Sequence, residues 1–237
     1  LLIPLVTCVG VGFGGERNAR AIALGGSLAT LAWAVVLAMQ FPHWQAEQWL
    51  YWPAPEANAF PVIPGLGIAV ELGVDSVSLL LVLLNVFLMP CCVLGSWVAI
   101  KERRREFYIW LLVLSACVMG VFISRDVISF YTFFEASLVP GFFMLAIYGG
   151  PDRREASFKF FIYTFVGSLF MLLGLAYVAW QHAQQTGDWS FAISDLTAFA
   201  PTLSAGEQGW ILLALLAGLA VKVPLFPLHT WLPLAHN

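Results

Sequence analysis

Apolar and polar positions in this chain separate into long blocks instead of alternating with a short period. Seven apolar runs can be placed: Leu1–Phe13, Ala19–Phe41, Ser76–Ile100, Phe107–Ser124, Val127–Tyr148, Ser157–Trp180, and one that begins near Gly209. Most approach the roughly 20 residues a helix needs to cross a hydrocarbon core. The pattern predicts an all-α, polytopic membrane bundle of seven spans. The seventh run contains Pro224 and Pro227. Each proline removes a backbone donor and clashes with the carbonyl four residues back, so this helix is expected to break between about Leu219 and Leu228. Two longer breaks, residues 42–75 and 181–208, carry the polar positions. Within the first, Ile68, Val70 and Leu72 alternate with Ala69 and Glu71, which predicts a short strand or hairpin.

Composition agrees with the blocks. The chain has 237 residues, of which 60% are hydrophobic and only 11% charged, and its mean hydropathy is +0.85. A soluble domain keeps about a quarter of its residues charged. Charge distribution then predicts orientation. Arg17, Arg20, Lys101, Arg103, Arg104, Arg105, Arg153, Arg154 and Lys159 fall in or beside alternate connections, while the opposite ones offer only Arg125. By the positive-inside rule the basic connections are cytoplasmic and the amino terminus lies outside, as in a bacterial inner membrane. Trp44, Trp49, Trp52 and Trp189 suit interfacial anchoring on the outer side, and Arg125 with Asp126 reads as a solvated outer turn. Cys8, Cys91, Cys92 and Cys117 all lie in apolar runs without metal-ligand spacing and read as packing residues. A short first run and an end within or just after a span suggest that both termini are clipped.

Two ionisable residues break the apolar rule. Of fourteen acids, Glu135 alone lies well inside a run, and Lys222 lies in the seventh run beside its prolines. Counted from the outer ends of their spans, Glu135 is roughly 12 Å deep and Lys222 roughly 20 Å deep. Intramembrane charges are costly and mark ion or substrate paths. A broken helix carrying one is tolerated only where protein or a water-lined cavity surrounds it. Burial disfavours both charged forms, whereas a carboxylate about 6 Å from the ammonium favours it by roughly 3 kcal/mol at an effective dielectric of 20. Making or breaking that contact can load or release a proton, so Glu135 and Lys222 are the candidate proton-transfer pair.

Other readings stand beside this one. The pair can also be a static ion pair that only fixes helix register. His229 can relay protons or serve as a structural histidine. Lys159 can snorkel to the interface or act as a second buried lysine near Tyr163 and Thr164. Tyr131 and Thr132, one turn before Glu135, can hydrogen-bond it, and Pro140 disturbs the same helix. Gly167, Ser168 and Gly174 read as a helix-packing face. No spacing suits haem, iron–sulfur or phosphate binding, and His43 and His182 fall in or next to outer loops. No cofactor is expected in this chain, and no nucleic acid.

The stretches FYTFFEASLVP, ASFKFFIYTFVGSLFMLLG, VKVPLFPLHTWLP and PVIPGLGIAVELGVDSVSLLLVLL resemble the antiporter-like membrane subunits of respiratory complex I, above all the M or chain 4 type. The resemblance runs over essentially the whole chain. It implies about fourteen spans in the family, with two inverted five-helix repeats that each hold a broken helix. This chain would hold the amino-terminal half: three peripheral spans with an outer loop (residues 1–106), then four helices of the first half-channel repeat (residues 107–237), ending before that repeat's last helix. Glu135 and Lys222 take the places of the family's proton-transfer glutamate and broken-helix lysine. NADH, FMN, iron–sulfur clusters and quinone would sit on partner subunits, and the other membrane subunits and the bilayer would be its surroundings. The family's usual acid before Ala235-His236 is replaced by Leu234. An Mrp-type sodium/proton antiporter, an energy-converting hydrogenase arm and a purely structural scaffold are the alternatives.

Overall fold

The computed structural model describes residues 1–41, 50–51, 60–63 and 68–233. Trp44, Trp49, Trp52 and Leu234, like His43, lie outside the described residues. Its helices are α1 (Leu2–Gln40), α2 (Ser76–Ala99), α3 (Arg104–Ile123), α4 (Val127–Ala136), α5 (Leu138–Tyr148), α6 (Arg153–Thr186), α7 (Ile193–Phe199) and α8 (Ala205–Lys222). Six helical stretches among the described residues are long and apolar enough to cross a membrane. The first accounts for two of the seven expected spans, because α1 is not straight. Gly15 leaves the helical region at φ 72°, ψ 168°, a conformation that suits glycine because it has no Cβ. The two arms then fold against each other. A Cβ on Gly26 would meet Thr7, and one on Gly10 would touch Ile22, contacts that a continuous helix of this length cannot make.

The chain forms two compact units. In the first, the α1 hairpin packs with α2 and α3. Ala34, Val86 and Met119 are buried together, and Tyr108 is fully buried. Asp75 caps α2 by accepting from Ser78 N–H at 2.6 Å, while the Ser78 hydroxyl accepts from Asp75 N–H at 2.8 Å. Such a capping box satisfies backbone groups that a helix start leaves without partners. Asn85 donates to the Ser115 carbonyl and hydroxyl, both at 3.1 Å, tying α2 to α3. Basic groups gather at one end of this unit. Arg20 donates to the Ile100 carbonyl at 2.8 Å and lies over the Trp97 ring, and Arg105 donates to the Gly12 carbonyl.

The second unit holds α4 to α8 and the small antiparallel pair of β2 (Phe60–Ile63) with β3 (Ile68–Val70), where strand alternation was expected. A shorter pair in the first unit joins β1 (Leu50–Tyr51) to β4 (Gly73–Val74). Helix α6 runs beyond its apolar run at both ends, and α8 begins before Gly209. The α8 start follows from Ser204 and Glu207, which form a capping box.

The expected small-residue face does bring α6 and α8 together. A Cβ on Gly167 would lie 2.9 Å from the Ala217 carbonyl oxygen, and one on Gly218 would lie 2.8 Å from Met171 Cβ. Replacing Gly167 with alanine should therefore push α8 away and cost about 1–3 kcal/mol. Gly206→Ala, with nothing within 4 Å of the added carbon, should be neutral. Thermal unfolding of the purified variants checks the pair; equal stability would show that the helices do not need this close approach.

Candidate functional site

Helix α8 ends at Lys222, inside the expected window, and its backbone explains how the break is tolerated. The Ala220 carbonyl would take the N–H of residue 224, but Pro224 has none. The Leu225 N–H bonds it instead at 2.8 Å. The Val223 N–H bonds the Leu219 carbonyl at 2.8 Å. The Val221 carbonyl accepts from the Trp231 indole at 3.0 Å. A 3₁₀ turn over Leu228–Trp231 folds the chain back against α6, with the Trp231 and Phe160 rings 5.0 Å apart. The carbonyls that a broken membrane helix leaves bare thus find donors within the protein.

The fifth span is interrupted as well. Ser137 separates α4 from α5, and Pro140, three residues on, has no N–H to offer the Ala136 carbonyl. The Lys222 ammonium reaches this interruption. It donates to the Ser137 hydroxyl at 2.6 Å and to the Phe134 carbonyl at 3.2 Å, and it lies 3.9 Å from the centre of the Phe134 ring. Lys222 is the last residue of α8, where the partial negative charge of the helix end favours a cation. The aromatic face adds a cation–π contact.

Glu135 follows Phe134 directly. It is half-buried, and its Oε1 atom is buried without a hydrogen-bond partner. The Tyr131 side chain interacts with both Glu135 and Ser168. Thr164 is fully buried, but its hydroxyl donates to the Phe160 carbonyl of its own helix at 2.7 Å. Lys159 and His229 are half-buried. The His229 ring lies against Phe226, and its Nδ1 is buried without a partner. Thr132 is exposed. Sequence reasoning missed Ser137. The doublet of an acid and a serine two residues later, just before a proline, was the available signal. A cavity of about 340 Å³ lined by Tyr177, Glu207, Trp210 and Ile211 opens at the first turn of α8, at the end of that helix opposite Lys222.

The amino-terminal end of α4 corrects one expectation. Asp126 does not solvate a turn: it is 1% exposed. Its carboxylate accepts from the Ser129 N–H at 2.7 Å, capping α4, and from the Glu71 N–H at 2.9 Å. Isolated bridges pair Leu72 with Ser124 and Asp126 with Ala192. The Arg125 N–H donates to the Glu71 carbonyl, and Ile193 N–H donates to that of Arg125. This knot fixes where α4 starts and so how deep Glu135 lies. Glu71 shares the junction. Burial raises its pKa above 4.5, the Asp126 and Asp195 carboxylates push the same way, and Arg125 opposes them.

Two interrupted apolar helices are joined here through the Lys222 ammonium. Residues 124–237 match the NADH:quinone oxidoreductase/Mrp antiporter transmembrane family. Over its whole length the chain is similar to M and chain 4 subunits. It is 38% identical to F(420)H(2) dehydrogenase subunit M of Methanosarcina mazei, covering 100% of this chain and 47% of that one. It is also 38% identical to NADH-quinone oxidoreductase subunit M of Rhodobacter capsulatus, over 96% and 44%. A chain of respiratory complex I from Thermus thermophilus, solved with bound NADH, superposes with a TM-score of 0.79 at 31% identity, over 100% of this chain and 46% of that one. A chain of the archaeal membrane-bound sulfane sulfur reductase shares the fold, with a TM-score of 0.79 at 22% identity over 99% of this chain and 35% of that one. The chain spans about half the length of the curated relatives it matches.

The junction at Glu71 yields a signed pH dependence. A raised carboxyl pKa means that the folded state holds the proton more tightly. The associated stability is present below 4.5 and is lost as pH rises through the raised value. Glu71→Gln should therefore raise the unfolding temperature at pH 7 and leave it unchanged near pH 4. Scans at the two pH values check this, and a gain of equal size at both would contradict it.

Proposed function

We propose that this chain is a proton-translocating membrane subunit of a respiratory NADH:quinone oxidoreductase of the complex I type. Its part is a proton half-channel built on Glu135 and Lys222, within the repeat assigned to residues 107–237. The observation that carries this reading is the Lys222 ammonium seated at the break of the fifth span, next to a glutamate with one buried, unpartnered carboxylate oxygen. A proton held on Lys222 is stabilised by Ser137, the Phe134 carbonyl and the aromatic ring. A proton held on Glu135 relieves the cost of a buried, unpartnered carboxylate oxygen. Moving charge between these groups changes both terms together, which is what a proton relay requires.

Tyr131, Thr164, Lys159 and His229 supply the secondary path, and Pro224 and Pro227 hold it open by ending α8. Redox groups (FMN, iron–sulfur clusters, quinone) belong to partner subunits, and so does the NADH site. Among the described residues no three His, Cys, Asp or Glu side chains gather as metal ligands. The amino terminus lies outside a bacterial inner membrane, with the basic end of the first unit cytoplasmic. The whole-length match to an F(420)H(2) dehydrogenase subunit favours a second reading. In it, the same half-channel serves a complex fed by a different hydride donor. An Mrp-type antiporter shares the family match.

In the intact complex, Lys222→Ala and Glu135→Ala should each lower proton translocation at least several-fold and depress coupled NADH:quinone turnover. Glu135→Asp should be milder because charge survives. Lys222→Arg should still impair, since a guanidinium does not give up its proton. Pumping ratio and turnover in reconstituted vesicles, with assembly verified on native gels, provide the measurement. Normal pumping by an assembled Lys222→Ala complex would show that the charge is structural.

A further inference from the structure

Lys222 donates to two groups on the fifth span, the Ser137 hydroxyl and the Phe134 carbonyl. Ser137 is 6% exposed, and its hydroxyl is engaged on both sides. It donates to the Phe134 carbonyl at 2.6 Å and accepts from Lys222 Nζ at 2.6 Å. The same carbonyl accepts from Lys222. Hydroxyl, carbonyl and ammonium thus close a three-membered ring of hydrogen bonds where α4 gives way to α5. The hydroxyl uses one lone pair on the ammonium and its proton on the carbonyl, so both its functions are engaged.

We propose that Ser137 is a positioning residue of the half-channel: with the Phe134 carbonyl it forms a neutral seat that holds the Lys222 ammonium beside Glu135. The inference rests on the proton-relay reading above and adds a member to it. A neutral seat differs from a carboxylate partner in one consequential way. An ammonium bonded to a hydroxyl and a carbonyl is held in place while Glu135 keeps its own proton chemistry through Tyr131. If the carboxylate alone held the lysine, each protonation of Glu135 would also release the lysine from its position. The break in the fifth span makes the seat available. Ser137 stands at the junction of two helices, where its side chain bridges to Lys222 of α8.

The test compares Ser137→Ala, Ser137→Thr and Ser137→Cys in the intact complex, with Lys222→Ala measured in parallel. Loss of one hydrogen bond to a charged group predicts that Ser137→Ala lowers proton translocation about tenfold. Ser137→Thr keeps the hydroxyl and should remain within about twofold of the parent, and Ser137→Cys, a weak donor and acceptor, should fall between. A role limited to helix formation ranks the variants in the opposite order, because alanine is the best helix former and threonine is poorer than serine. Normal pumping by assembled Ser137→Ala, or equal loss in alanine and threonine variants, overturns the proposal. If alanine prevents assembly, the cysteine variant decides, and normal pumping there overturns it too. Failure of all three to assemble assigns Ser137 to packing and also overturns it. Impaired Lys222→Ala with normal Ser137→Ala removes only this inference, whereas normal Lys222→Ala removes the relay reading with it.

Discussion

A proline cannot donate a backbone hydrogen bond, and the second unit is organised around that constraint. Pro140, Pro224 and Pro227 each deny a carbonyl its helical partner. In water the loss is repaired by solvent; in hydrocarbon it must be repaired by protein. The repairs seen here are the Leu225 N–H on the Ala220 carbonyl and the Trp231 indole on the Val221 carbonyl; at the fifth-span junction the Ser137 hydroxyl and the Lys222 ammonium both donate to the Phe134 carbonyl. That junction puts a titratable group among the donors to a neighbouring helix's backbone.

Close packing then decides whether the two breaks can meet. Helices α6 and α8 approach through glycines at positions 167, 174 and 218, where added carbons would collide with side chains and, at Gly167, with a backbone carbonyl. Small residues serve this purpose in membranes because apolar burial alone does not drive helix association there. At the amino-terminal end of the fifth span, buried Asp126 caps α4 and accepts from the Glu71 N–H. One clamp sets where the fifth span begins, and the other sets where the seventh span runs. Together they bring Lys222 to Ser137.

Much of this was legible in the residues. Apolar blocks gave seven spans, paired prolines gave the end of α8 at the lysine, and glycine spacing marked the α6 packing face. Glu135 and Lys222 stood out because a charge in an apolar run is expensive. Three features were not legible. Gly15 turns α1 back on itself, but a glycine next to another glycine and an acid in a basic connection looks like any short loop. Asp126 was misread as solvated, since burial of a capping aspartate depends on Glu71 and Ala192, which lie far away in sequence. Ser137 carried no charge to draw attention, and serines in membrane helices commonly bond their own backbone, as Ser168 does to Phe165.

That last distinction explains why hydroxyls in the same helices differ in consequence. Thr164 and Ser168 are as buried as any residue in the chain, and both donate to a carbonyl three or four positions back. Ser137 makes the same backward bond but sits at a helix junction, so its lone pairs point to a neighbouring span instead of along its own. Local geometry alone converts a self-satisfied hydroxyl into a ligand. At Ser137 the polar contact between spans coincides with two breaks, the end of α8 and the junction of α4 with α5.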